Sequence, residues 1–235
     1  MKLLVFPPRM REIYRNLDVE IRPMAQSIVR SDVDDVTQRL ALLGLEQEQL
    51  LQAARRWHFS WSSFTLNHPP IGIGISAWTE AVAALREELL PVGWTRSDER
   101  NYALVLHPDG TIAINVATGD SGTGRPDAVP SNKAPKGVST ADAISVNQQQ
   151  LELDLPVPDV PDIRGDDGPL TWFLLLHRAD GEIRSELSLP SAMSPDGRII
   201  RWQERIILSP IQLDTEIEIE APRGVDLDIE VKRKA

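Results

Sequence analysis

The sequence contains no cysteine, and this absence removes several kinds of site at once. Disulfide bonds, thiolate zinc sites, iron–sulfur clusters and a cysteine nucleophile are all excluded. Small secreted domains are often held together by disulfides, so the absence also favours a reducing compartment. We therefore expect a cytoplasmic protein.

Long apolar runs are lacking as well. No run approaches the roughly 20 apolar residues that span a bilayer. Met1 to Phe6 ends in four apolar residues, but Pro7 and Pro8 follow directly. A secretory signal has an apolar region of about 7 to 15 residues. We interpret these first residues as a strand and expect no contact with a membrane.

Positive charge is scarce and unevenly placed. The formal net charge is −10, and residues 151–235 hold ten Lys and Arg against eighteen Asp and Glu. Such a field repels the phosphate backbone of nucleic acids, so general nucleic-acid binding is disfavoured. The exception is the first thirty residues, where six basic side chains face three acidic ones. Contact with DNA or RNA through Arg9, Arg11 and Arg15 is therefore kept as a weaker alternative.

Apolar residues at helical spacing follow this basic segment. The pattern predicts one helix from Ser31 to Gly44, a second from about Leu45 to Trp61, and a third from about Ala77 to Leu90. Four aromatic residues recur on these helices: Trp57, Trp61, Phe64 and Trp78. We expect them in the core, and an aromatic binding face is the alternative.

From about residue 101 the pattern is typical of antiparallel strands. Asp109-Gly110 lies between two apolar runs and predicts a tight hairpin. The predicted strands are Tyr102 to Leu106, Thr111 to Val116, Leu170 to Arg178, Ile183 to Leu189, Ile199 to Leu208, Leu213 to Glu220 and Val225 to Val231, with an earlier short one at Val19 to Arg22. The strands Leu213 to Glu220 and Val225 to Val231 carry carboxylates on one face. This pattern indicates a face exposed to solvent, and a cation site is the alternative.

These patterns together predict an α+β fold. A helical layer packs with an antiparallel β-hairpin and is followed by a mostly antiparallel C-terminal sheet, either a small sandwich or an open barrel. The predicted domains are residues 1–153 with a long loop at 118–140, a Pro/Gly-rich acidic linker at 154–168, and an acidic β domain at 169–235.

The segment from Asn115 to Thr140 is the best candidate for a ligand site. Its glycines allow backbone N–H groups to turn toward an anion, and Arg or Lys would complete the charge. The predicted anion-binding residues are Thr118, Thr123, Arg125, Lys133 and Lys136. Gly122 and Gly124 lead into Arg125-Pro126, so neither the P-loop nor the dinucleotide motif is met. A flexible connection is the alternative interpretation.

No catalytic signature is complete. The zinc motif His-Glu-x-x-His and the elbow Gly-x-Ser-x-Gly are both missing. His107 is the exposed histidine candidate, and a triad with Ser121 and an aspartate such as Asp120 can be drawn. The least poor arrangement for an enzyme that holds a metal and a phosphate combines Asp98, Glu99 and Asp120 with Lys133 or Lys136. We predict no metal site, and the sequence leaves cofactors open.

The primary functional hypothesis is a non-catalytic cytoplasmic binding or adaptor protein, an accessory subunit that recognises another protein. The incomplete catalytic signatures motivate it, and the acidic C-terminal sheet and the 118–140 loop are the expected contacts. The alternative is a hydrolase or transferase acting on a phosphorylated small molecule or a nucleic-acid end. That enzyme would use Asp120, Ser121, Thr123, Arg125, Lys133 and Lys136.

Overall fold

The computed structural model of the protein describes residues 27–153 and 168–213. In this part of the chain, four α-helices and eight strands form an α+β fold around one open, mixed sheet. The predicted α+β class is therefore confirmed. The predicted strands at 19–22, 213–220 and 225–231 lie outside the described residues, apart from Leu213.

The helices are numbered in chain order as α1 (Val33–Leu42), α2 (Gln47–Ser62), α3 (Pro70–Leu89) and α4 (Val138–Leu153). The strands are β1 (Ile28–Arg30), β2 (Thr95–Ser97), β3 (Leu104–Leu106), β4 (Ile112–Thr118), β5 (Leu170–Ala179), β6 (Glu182–Met193), β7 (Ile199–Ile207) and β8 (Ile211–Gln212). Short 3₁₀ turns lie at Leu90–Val92 and Glu99–Asn101.

The sheet has the strand order β1-β7-β6-β5-β4-β3-β2, and β8 pairs with β6. Two pairs are parallel, β1 with β7 and β4 with β5, while the others are antiparallel. β4 lies against β5 from the pair Ile112 and Leu170 to the pair Thr118 and Leu176. Strands from both sides of the predicted linker at 154–168 thus belong to one sheet.

Local signals explain where α1 and α3 begin. The Asp32 carboxylate accepts hydrogen bonds from the backbone N–H groups of Asp34 and Asp35 and caps α1. α3 starts at Pro70 rather than at the predicted Ala77. Proline suits the first position of a helix because its missing N–H would have no partner there. Pro69 and Pro70 interrupt the helical pattern of the sequence, and they also form the start of α3.

Side chains on the two faces of the sheet form two cores, because successive residues of a strand point to opposite sides. Trp172, Leu174 and Leu176 of β5 pack with α1, α2 and α3, whereas Phe173 and Leu175 pack with Ile144 of α4. Trp57 is buried in the first core as predicted, and Trp61 and Trp78 pack against it while partly exposed. Helices therefore cover both faces of the sheet.

Helix α4 was not expected from the sequence. Its buried side chains include Thr140 and Asn147 beside Ile144, so it has no apolar stripe to reveal it. Asn147 Nδ2 donates to the carbonyl oxygens of Thr171 and Pro190, and its Oδ1 accepts from Thr171 N at 2.8 Å. α4 lies between β4 and β5 in the chain, which is consistent with the parallel pairing of these strands.

One ion-pair network joins β1 and α1 to β7. The buried Glu204 carboxylate accepts from Arg30 Nε at 2.6 Å and from two nitrogens of Arg39 at 2.7 Å each. Burial by itself raises the pKa of Glu204, but the hydrogen bonds from Arg39 and Arg30 outweigh it and hold the pKa below its usual value. The ionised form is therefore stabilised by folding.

Replacing Glu204→Gln should lower the free energy of unfolding by about 2 kcal/mol near neutral pH, because two arginines lose their charged partner. A pKa that is depressed by folding contributes stability above the unfolded pKa of about 4.3, and this is lost as the pH falls through the lower folded value. The difference between wild type and variant should therefore shrink below about pH 4 in urea unfolding series followed by tryptophan fluorescence. The control is Glu48→Gln, since its pair with Arg55 is exposed. A difference that does not change with pH would contradict the role given to Glu204.

Candidate functional site

The segment between β4 and α4, residues 119–137, is called the β4–α4 loop. It folds back on itself, with Asp120 N donating to Ser131 O at 2.9 Å and Lys133 N donating to Thr118 O at 2.8 Å. Buried Asn132 then joins it to the β6–β7 turn. Its Nδ2 donates to Gly197 O at 2.9 Å, and its Oδ1 accepts from Ile199 N at 2.7 Å. Hydrogen bonds therefore hold the loop to the end of β4 and to the β6–β7 turn.

A buried ion pair lies beneath the middle of the β4–α4 loop. Glu186 of β6 and Arg205 of β7 are 0% and 2% exposed, and their closest atoms, Arg205 Nη2 and Glu186 Oε2, are 2.6 Å apart. The guanidinium also donates to the carbonyl oxygens of Arg125 and Ala128, and the carboxylate accepts from Gly124 N at 2.8 Å. The anion held by the N–H group of Gly124 is thus the protein's own carboxylate.

Close packing explains the glycines of the β4–α4 loop. A Cβ at Gly119 would lie 2.0 Å from Thr123 Oγ1, and a Cβ at Gly124 would lie 2.8 Å from Arg184 Cβ. Gly124 also has a φ of +71°, which other residues adopt at a cost. The loop therefore needs glycine at both positions for reasons that involve no ligand.

The structure separates the five residues predicted to bind an anion. Thr123 is fully buried, Arg125 pairs with Asp127 at 2.7 Å, and Lys133 is exposed on the loop surface. Thr118 ends β4, whereas Lys136 lies next to the start of α4 and lines a cavity. Of the five, only Lys136 contributes to a pocket described below.

The candidates for catalysis lie at opposite ends of β4. His107 N donates to Ile112 O before the strand, and His107 Nδ1 is 2.6 Å from Asp109 Oδ1. Asp120 and Ser121 follow the other end, roughly 20 Å away for a strand of this length. His107 therefore does not contact Ser121. Within residues 27–153 and 168–213, no three His, Asp or Glu side chains are grouped as a metal site would need.

A cavity of about 320 Å³ opens beside β4, and we call it the β4-edge cavity. It exists because β3 is shorter than β4: their pairing ends with Val105 and Ile114, which leaves the second half of β4 without a strand on that side. The lining residues are Trp78, Arg100, Asn101, Tyr102, Ala103, Asn115, Pro135, Lys136, Gly137, Val138, Ser139 and Thr140. The cavity thus reaches from α3 across the sheet edge to the start of α4.

One side chain of α3 and one of β4 form hydrogen bonds to backbone carbonyl groups beside the unpaired half of β4. Trp78 Nε1 donates to Val116 O at 3.0 Å, and Asn115 Nδ2 donates to Ala103 O at 2.9 Å. Asn115 is only 4% exposed, and its Oδ1 accepts no hydrogen bond from the described residues. An acceptor without a partner among the described residues therefore lines the cavity.

Two cations line the β4-edge cavity. Burial lowers the pKa of the Lys136 ammonium, which forms no ion pair with a described residue. Arg100 is exposed and lies 3.4 Å from Asp142. Arg100 and Asn101 both have left-handed backbone angles, φ of 55° and 57°, which cost of order 1 kcal/mol or more per residue. The turn that carries Arg100 is therefore held in place by its surroundings.

The wall between the cavity and the second core contains Tyr102. Burial raises the pKa of its phenol to about 12, and the neighbouring Thr140 hydroxyl offsets only part of this effect. The Tyr102 hydroxyl is shielded from solvent and forms no hydrogen bond of good geometry with the described residues. Tyr102 is therefore neutral at physiological pH, and it lines the cavity without contributing a charge.

A second surface feature lies at the closed end of the α2–α3 hairpin. The sequence from Trp57 to Thr79 contains no Asp, Glu, Lys or Arg. Four of its apolar side chains are exposed, Phe59, Leu66, Ile71 and Ile75, and we call them the hairpin tip. The aromatic spacing predicts a core here, with a binding face as the alternative, and the lack of charge is a further signal in the sequence of an exposed apolar end.

Comparisons with protein-family models, with curated proteins and with solved structures found no match to this chain. None of the helices in the described part of the chain combines the length and apolarity needed to cross a bilayer. The hairpin tip and the β4-edge cavity are therefore interpreted from their own geometry.

Replacing Arg205→Ala should lower the free energy of unfolding by about 3 to 5 kcal/mol, because Glu186 would keep a buried charge without its partner. The β4–α4 loop should also become more accessible to trypsin at Lys133. The matched control is Arg201→Ala on the same strand, which is exposed and should change stability by less than about 0.5 kcal/mol. Guanidinium unfolding and timed trypsin digestion measure both effects. If Arg205→Ala and Arg201→Ala lose equal stability and are digested by trypsin at equal rates, the ion pair does not hold the loop in place.

Proposed function

We propose that the protein is a non-catalytic binding protein that recognises another protein, with the hairpin tip as its contact surface. The observation that carries this proposal is the exposure of Phe59, Leu66, Ile71 and Ile75 at one end of a helical hairpin. Soluble proteins rarely expose such clusters unless they contact another molecule. Ile71 and Ile75 lie one turn apart on α3 and present a continuous apolar edge.

Charged residues begin where the uncharged segment ends. Arg56 pairs with Glu80 at 2.9 Å, and Arg55 pairs with Glu48 at 2.5 Å, one to three turns from the tip along the hairpin. An apolar centre with a polar border is the usual anatomy of a protein interface. The tip carries no charge to attract acidic or basic surfaces, so we expect a partner that offers an apolar groove.

The small residues between α2 and α3 support a rigid tip. Ala53, Ala77 and Ala81 are fully buried, and Ser60 Oγ lies 3.0 Å from Ser76 Oγ across the hairpin. A Cβ at Gly72 would lie 3.2 Å from the Phe64 ring. Close helix packing reduces the entropy lost when a surface binds, which favours recognition by a preformed shape.

The other two hypotheses gain no specific support. The side chains proposed for a hydrolase or transferase lie apart in the structure, with Thr123 buried and Arg125 paired to Asp127. Arg9, Arg11 and Arg15, proposed for nucleic-acid contact, lie outside the described residues. The expected protein contacts are the acidic C-terminal sheet and the 118–140 loop, and the part of that sheet after Leu213 lies outside the described residues as well.

A photo-crosslinking amino acid placed at Leu66 should give one discrete crosslinked protein in cells that contain the partner. Adding Ile71→Ser should remove that product, because it places a polar group in the apolar edge. Both positions are exposed, so the free energy of unfolding should change by less than about 0.5 kcal/mol per substitution.

The matched control places the same crosslinker at Ile200, an exposed apolar residue on β7. Sedimentation of the pure protein separates a second copy of this chain from a different partner, and flotation with neutral lipid vesicles tests a membrane surface instead. Crosslinking that is equal at the two positions, or flotation that depends on Ile71, would contradict a protein contact at the tip.

A further inference from the structure

The β4-edge cavity concentrates positive charge in a protein of negative net charge. Lys136 and Arg100 both line it, and its lining contains no carboxylate, although Asp142 outside the lining lies 3.4 Å from Arg100. Lys136 is fixed at its backbone, since its N–H donates to Gly197 O at 2.9 Å and a Cβ at Gly197 would lie 2.6 Å from Lys136 O. The backbone that carries the Lys136 side chain is thus fixed next to the cavity.

The start of α4 adds hydrogen-bond donors on the same side. The N–H groups of Thr140 and Ala141 donate to Gly137 O, whereas those of Val138 and Ser139 donate to no backbone or side-chain acceptor among the described residues. Free N–H groups and the positive end of a helix favour an anion. The Ser139 side chain lines the cavity beside them.

The second independent feature is the Asn115 side chain. Its Oδ1 accepts no hydrogen bond from the described residues. As an acceptor it pairs with a donor such as a ligand hydroxyl and not with an anion. The cavity therefore offers donors at the α4 end and an acceptor at the β4 end.

Size and shape limit the ligand further. A volume of about 320 Å³ is at the small end of ligand pockets. Trp78 forms one wall, and its indole N–H is already used by Val116 O, so it offers only its ring surface. Such a ring packs well against the C–H face of a sugar or a similar polyol.

We propose that the β4-edge cavity binds a small phosphorylated polyol, such as a sugar phosphate. The phosphate lies between Lys136, Arg100 and the first N–H groups of α4, and a ligand hydroxyl donates to Asn115 Oδ1. This site is separate from the hairpin tip and does not depend on the proposed protein contact.

Titration calorimetry of the full chain with ribose 5-phosphate tests the proposal. Ribose 5-phosphate at up to about 10 mM should bind, ribose should not, and inorganic phosphate should bind at least about tenfold more weakly than the ester. Lys136→Met keeps the aliphatic stem and should weaken binding by about tenfold or more. Lys133→Met is the matched control, because Lys133 is exposed outside the cavity, and it should bind as wild type does.

A second variant separates loss of binding from loss of folding. Ser139→Asp places a carboxylate in the first turn of α4, where it favours the helix. The melting temperature should stay the same or rise, while ribose 5-phosphate binding should be lost. The proposal is overturned if wild type shows no heat with ribose 5-phosphate, if Lys136→Met and Lys133→Met bind alike, or if Ser139→Asp keeps wild-type affinity.

Discussion

The buried pair of Glu186 and Arg205 is the interaction on which the second face of the sheet depends. It joins two neighbouring strands and supplies the groups that hold Gly124, Arg125 and Ala128 of the β4–α4 loop. A buried pair gives little net stability, but each charge requires the other and its hydrogen-bond partners. Beyond these residues the loop continues to Asn132 and Lys136, which are held by hydrogen bonds to Gly197 O.

The elements that the sequence predicts well are those with strong local signals. α1 has an acidic cap and an apolar stripe, and the β3–β4 turn has Asp109-Gly110. The parallel pairing of β4 with β5 could not be predicted, because α4 buries Thr140 and Asn147 where an apolar stripe would be expected. Asn147 is bonded to a strand that is distant in sequence, and no local pattern encodes that partner.

The sequence predicts only part of the candidate site, for a similar reason. Composition shows that the β4–α4 loop has glycines and cations, but it does not show that Glu186 already occupies the N–H of Gly124. Lys136 lies in the segment that the sequence indicates, whereas the sequence favours a core position for Trp78 and gives a binding face only as the alternative. The β4-edge cavity results from the different lengths of β3 and β4, and strand lengths are among the least certain features of a sequence-based prediction.

The same difference in strand length exposes a row of backbone groups that another chain could pair with. An open strand edge is a starting point for edge-to-edge aggregation. The Trp78 indole occupies Val116 O, and the bridge between Gly119 and Asn132 covers the end of β4. Trp78 and the bridge to Asn132 therefore occupy groups of β4 that would otherwise be open to the addition of a strand.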